Sequence, residues 1–154
     1  MWRVYRKELK LKLYTIGFTK KSAKEFFETL INNKVKRLID IRLNSKSQLA
    51  GFAKGEDLRY FLGKIGDIDY IYMPELAPTE ELLDGYRNRS VDWEEYEKRY
   101  CQLIVERNIL ANKDISVFDN ACLLCSETTA KQCHRRLAAE YIAFSNNNFK
   151  IIHL

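Results

Sequence analysis

The chain has 154 residues, is 46% apolar and carries a formal charge of +5. That length suits one domain with a sizeable core, and no apolar run approaches a membrane span. The opening stretch MWRVYRKELKLK interleaves basic and apolar residues, unlike the continuous apolar segment of a signal peptide. Of the cysteines at 101, 122, 125 and 133, three crowd into one short segment instead of spreading as a disulfide framework. We therefore expect a cytoplasmic protein with free thiols and no membrane association. We take 1–154 as a single domain, with 1–10 a basic N-terminal arm. The positive charge permits a phosphate-bearing partner and fits plain solubility equally well.

Leu11 to Ile16 reads as a first strand, closed by the turn Gly17-Phe18-Thr19. Ser22 followed by Glu25 forms a capping box. Apolar residues at 23, 26, 27, 30 and 31 mark one face of a helix ending near Asn32 and Asn33. Val35 to Ile41 is the second strand, with Asp40 and Arg42 at its end. Leu43 to Gly55 is a polar loop long enough to suggest function. Glu56 to Ile65 is a short helix with Leu58, Phe61, Leu62 and Ile65 inward. Tyr70 to Met73 is the third strand, ended by Pro74.

Thr79 caps a short helix through Tyr86. Asp92 with Glu95 opens a long helix to about Leu110, striped by Trp93, Tyr96, Tyr100, Leu103 and Ile104. Cys101 lies near that stripe and reads as a buried small hydrophobe. Ile115 to Phe118 is either a separate short strand or an extension of the one that follows, Ala121 to Leu124. Thr129 with Gln132 forms another capping box, which starts a helix carrying Cys133, His134 and Arg135. Phe149 to Leu154 is the last strand.

Strands alternating with helices predict a three-layer α/β domain of Rossmann-like type, with a mostly parallel sheet flanked by helices and right-handed crossovers. In such sheets ligands bind beyond the carboxyl ends of the strands. Gly17, Thr19, Arg42, Glu75, Cys125, Glu127 and His153 all fall at that edge.

The chemistry at that edge admits several readings. Cys125, where a strand hands over to a helix, suits a thiolate or an anion-binding turn. Thiol enzymes of that geometry usually place arginine six residues on; Lys131 stands there. Cys122, Cys125, Cys133 and His134 resemble a zinc set, but residues three apart in a strand face opposite ways, and neighbours on a helix diverge by about 100°. No metal and no other cofactor is expected. His134 is a candidate acid or base, or a structural bridge. Arg42 and Arg135 can hold an anion; equally, Arg42 can pair with Asp40, Glu75 or Glu127.

A set of motifs carries a resemblance. Thr15-Ile16-Gly17-Phe18-Thr19, Asp40-Ile41-Arg42, Ser47 through Gly51-Phe52, Pro74-Glu75-Leu76, Cys125-x-Glu127-x5-Cys133-His134-Arg135 and the closing Ile152-His153-Leu154 occur in this order from Tyr14 onward. The chain in this respect resembles the domain-of-unknown-function family numbered 488. Departures are Gln48 where the family usually has Arg, Ala77 where it often has Gly, and Thr129-Ala130 where it opens a helix with Asp-Pro. The resemblance implies an α/β fold and a polar site built from these blocks, Ser47 included. It does not imply a reaction.

The expectation is an enzyme acting on an anionic, phosphate-containing substrate, small molecule or nucleic acid. Cys125, Glu127 and His134 would do the chemistry. Gly17, Thr19, Arg42, Ser47, Glu75, Arg135 and His153 would bind the substrate. Two alternatives stand beside it: a non-catalytic nucleic-acid-binding module, and a Cys-His-Arg cluster that is purely structural.

Overall fold

The computed structural model describes residues 11–46 and 50–154; the basic arm and Ser47 lie outside the described residues. Five strands form one parallel sheet: β1 (Leu11–Gly17), β2 (Arg37–Asp40), β3 (Asp69–Tyr72), β4 (Ala121–Cys125) and β5 (Phe149–His153). Their spatial order is β3-β2-β4-β1-β5. Between them run α1 (Ala23–Asn32), α2 (Gly55–Gly66), α3 (Glu80–Arg87), α4 (Trp93–Arg107) and α5 (His134–Ser145). The three-layer α/β architecture read from the sequence is the one observed.

The alternation of side chains along each strand builds two cores. On one face Leu13, Ile39, Ala121 and Leu123 meet α3, α4 and α5 through Leu82, Tyr96, Tyr100, Ile104, Leu137 and Ile142. On the other, Ile16, Leu38, Cys122 and Leu124 meet α1 and α2 through Phe26, Phe27, Leu30, Leu58 and Leu62. Covered on both sides, β4 is buried at every residue, and so reads as an unbroken apolar run. Each fully buried leucine or isoleucine contributes on the order of 2 kcal/mol of transfer free energy.

Local signals hold where the chain is free to follow them. The Ser22–Glu25 capping box is present in both halves, and Thr79 and Asp92 cap α3 and α4. α4 stops at Arg107, earlier than the apolar stripe suggests, because Asn108 turns left-handed. Ile65 is exposed and Cys101 only half-buried. Ile115–Phe118 is a 3-10 helix, not a strand. Its start is an Asx turn, in which the Asp114 carboxylate accepts from the Ser116 backbone N–H.

The topology singles out one place on the sheet. β4 passes to α5 on one face, whereas its neighbours β1 and β2 pass to α1 and α2 on the other. Connections leaving adjacent strands on opposite faces open a crevice at their carboxyl ends. That crevice lies at the end of β4.

Candidate functional site

β4 ends at Cys125, and an irregular turn carries the chain to Cys133, the N-cap of α5. The Thr129–Gln132 capping box therefore does not form, and the helix starts five residues after Thr129. Tertiary contacts outweigh the local signal. The Ser126 carbonyl accepts from both the backbone N–H and the hydroxyl of Thr19, and the Glu127 carbonyl accepts from Arg135 Nη1. These bonds draw the turn against β1. The approach is so close that a Cβ on Gly17 would clash with both the Glu127 carbonyl oxygen and Arg135 Nη1. Gly17 is thus needed for proximity.

Beneath the turn lies a buried thiol–guanidinium cluster. Cys125 Sγ sits 2.9 Å from Cys133 Sγ and 3.1 Å from Arg135 Nη1. Cys133 Sγ also accepts the Arg135 backbone N–H at 3.5 Å. The exposures of Cys125, Cys133 and Arg135 are 0%, 2% and 1%. Burial alone would raise the Cys125 thiol. The Cys133 thiol, the Arg135 guanidinium and the Glu127 backbone N–H together outweigh it and hold Cys125 below the ordinary thiol range. Hydrogen bonding to the Cys125 sulfur and burial together push Cys133 far up. Cys122 is raised by burial and belongs to the opposite core, as the period of the strand requires. Among the described residues no three His, Cys, Asp or Glu side chains converge as a metal-binding set.

Above the turn opens a cleft of about 590 Å³. Arg42, Ser126, Glu127 and His134 line it from the sheet edge and the start of α5; Glu80, Asp84 and Arg87 line it from α3. Arg42 is 3% exposed. Its backbone N–H and Nε donate to Asp40 Oδ1 at 3.1 and 2.8 Å. Its Nη2 donates to Oδ2 at 2.6 Å and to the Ser45 carbonyl at 3.3 Å. The Tyr70 hydroxyl donates to the same Oδ2 at 2.7 Å, and the guanidinium stands 5.4 Å from the centre of the Phe18 ring. The remaining nitrogen, Nη1, is buried without a hydrogen-bond partner among the described residues.

His134 is fixed by Nε2, which is 3.0 Å from the Ile41 carbonyl. A carbonyl only accepts, so Nε2 carries the proton. Burial pushes the imidazole down to about 4, and the nearby Arg135 charge adds to the effect. The ring is therefore neutral near pH 7 and keeps the Nδ1 lone pair as an acceptor.

The structure brings Arg42, Glu127 and His134 to one cleft. Cys125 and Arg135 lie beneath it and do not line it. Gly17 and Thr19 pack the turn from β1. His153 lies on β5, beyond β1, with Nδ1 2.6 Å from the Thr15 hydroxyl. Glu75 faces a separate cleft of about 620 Å³ with Arg107 and Lys113. Although this cleft is as large, its arginine is already committed: Arg107 Nη1 donates to the Glu75 and Ala77 carbonyls. Arg136 pairs with Glu97 and Glu140 on the surface. Sequence reasoning does not single out Glu80, Asp84 or Arg87. Their spacing of four and three residues places them on one face of α3, but nothing in the sequence says that this face looks onto the end of β4.

Among the described residues no helix is long and apolar enough to cross a membrane. No curated protein and no solved structure is detectably similar to the chain. A family model does match, over residues 22–142, a span containing Arg42, the three α3 residues and the whole Cys125–Arg135 segment. The chain belongs to the family described as domain of unknown function DUF488.

Proposed function

We propose that the chain is an enzyme whose cleft at the end of β4 takes a phosphate-bearing, hydroxyl-rich substrate of the nucleotide type. The observation that carries this reading is the orphaned Nη1 of Arg42. An unpaired donor on a buried cation costs about 1–3 kcal/mol, and an anionic oxygen from the cleft would remove that cost. Asp40 fixes the guanidinium before any ligand arrives, so little ordering is lost on binding. Glu80 and Asp84 on α3 are poor neighbours for an anion and good acceptors for hydroxyls. The phosphate thus belongs on the Arg42 side and the hydroxyl-bearing part on the α3 side. Neutral His134 accepts a proton or hydrogen bond at Nδ1, and the Glu127 carboxylate is the second acceptor. Cys125 acts through Arg135 as a positioning group that fixes the turn bearing Ser126 and Glu127.

Calorimetric titration with inorganic phosphate and with nucleoside monophosphates tests this. Arg42→Gln combined with Asp40→Asn removes the ion pair without leaving a buried charge. It is expected to weaken binding at least tenfold, while Lys113→Ala at the other cleft leaves binding unchanged. Equal binding by both variants contradicts the reading.

A second reading, non-catalytic nucleic-acid binding, has support in a hollow of about 350 Å³ whose lining includes Lys46, Lys54, Arg59, Tyr70 and Tyr72 against a single acidic residue, Glu56. It predicts oligonucleotide binding that weakens steeply with salt and survives the Arg42 variant.

A further inference from the structure

The Cys125–Cys133 pair has features that a merely structural pair of thiols does not need. Two free sulfurs lie 2.9 Å apart across the turn, closer than non-bonded sulfurs usually settle and within a short movement of the ~2.05 Å of a disulfide bond. Among the described residues Arg135 has no carboxylate partner; the atoms facing its Nη1 are Cys125 Sγ and the Glu127 carbonyl oxygen. A buried guanidinium without an acid is expensive, and a thiolate at Cys125 would offset that cost. Cys133 caps α5 at its positive end, with its sulfur 2.9 Å from that of Cys125. One sulfur is thus prepared as nucleophile and the other is held in place to resolve the product.

We propose that Cys125 and Cys133 form a peroxide-sensitive dithiol that closes reversibly to an intramolecular disulfide. The Cys125 thiolate attacks one oxygen of hydrogen peroxide. The O–O bond breaks, Cys125 becomes a sulfenic acid, and hydroxide leaves and takes up a proton to form water. Cys133 sulfur then attacks Cys125 sulfur. The S–S bond forms, the S–O bond breaks, and the Cys133 proton leaves with the hydroxyl group as a second water. Two thiol sulfurs are oxidised by two electrons in all, and one peroxide is reduced to two waters. A dithiol reductant reverses the change by exchange. The pair is buried, while Glu127, Thr128, Thr129, Lys131 and Gln132 of the turn between the two cysteines are exposed; the proposed reaction requires that turn to yield so that peroxide can enter. The proposal stands whether or not the cleft binds phosphate.

The test is peptide mass spectrometry of the native full chain after graded peroxide, with differential thiol labelling before and after reduction. The expected result is a Cys125–Cys133 disulfide recovered by dithiothreitol, with Cys122 still reduced. Cys133→Ser should leave Cys125 as a sulfenic acid captured by dimedone. If peroxide oxidises half-buried Cys101 while Cys125 and Cys133 remain thiols in the wild-type protein, the proposal is overturned. It is likewise overturned if the Cys133→Ser protein, folded by circular dichroism, yields no Cys125 adduct.

Discussion

Nη1 of Arg135 lies 3.1 Å from Sγ of Cys125, at the floor of a turn that no acidic side chain reaches with an ion pair among the described residues. The same nitrogen holds the Glu127 carbonyl. One guanidinium therefore ties the end of β4 to the turn that carries Ser126 and Glu127 onto the cleft. We expect the charge state of the Cys125 thiol to set how firmly that tie holds.

Far-ultraviolet thiolate absorbance reports that charge state without needing reagent access. One thiolate should titrate below the ordinary ~8.5 of a free cysteine. It should vanish in Cys125→Ser and move upward in Arg135→Gln. Linkage gives the sign for stability. Between the folded value of Cys125 and ~8.5 the unfolded chain binds the extra proton, so stability rises with pH across that window. Above ~8.5 the raised Cys133 and Cys122 reverse the slope. Urea midpoints measured across pH should show this maximum, flattened in Cys125→Ser.

His134 predicts a second, acidic slope. Burial holds its folded value at about 4 against the ordinary 6.5. Between those values the unfolded chain is the better proton binder, so stability falls as pH drops from ~6.5 to ~4. The total is about 3 kcal/mol, at 1.36 kcal/mol per unit. His134→Gln should remove most of that acid dependence, and nitrogen NMR of the imidazole should show a protonated Nε2 at pH 7.

Gly17→Ala should destabilise the protein by ~2–4 kcal/mol, since its methyl meets backbone at Glu127 and the fixed Arg135 head. Gly63→Ala, in the middle of α2 with open space around it, should instead stabilise by ~0.5–1 kcal/mol. Paired urea denaturation curves separate the two. Equal effects would mean that the turn does not press on β1 as described.

Asp40→Asn should cost ~3–5 kcal/mol, because it leaves the Arg42 guanidinium buried without its counter-charge. Adding Arg42→Gln should restore part of the loss. A double-mutant cycle in thermal or urea unfolding measures the coupling.

Much of this was legible in the sequence, for physical reasons. Ala121 to Leu124 read as a strand from its short apolar run, and its burial on both faces accounts for that run. The Ser22–Glu25 box and the Thr79 and Asp92 caps were local devices that no distant contact opposed. The Thr129–Gln132 box failed because its residues sit in a turn drawn toward β1 by the Thr19–Ser126 and Arg135–Glu127 contacts, which span 107 and 8 residues of chain respectively. That Gly17, Arg42, Cys125 and Glu127 fall at or just beyond the carboxyl ends of strands was visible through the parallel-sheet rule. Which of them share a cleft was not, since that depends on strand order: β5 lies beyond β1 and carries His153 away, while α3 swings Glu80, Asp84 and Arg87 in. That Arg42 lines the cleft and Cys125 does not had the same cause. Sequence places both at strand ends, and only packing shows that the thiol lies under the turn and the guanidinium beside the cleft.

The most direct measurement is a nitrogen-15 NMR titration of the native protein with inorganic phosphate and a nucleoside monophosphate, following backbone amides and the arginine side-chain signals. Arg42 Nε, Ser126, Glu127 and His134 are expected to shift together and saturate, with the α3 residues Glu80 and Asp84 responding to the nucleotide and not to phosphate alone. Shifts confined to Lys46, Lys54 and Arg59, or to the Arg107–Lys113 cleft, with Arg42 unmoved, would contradict this.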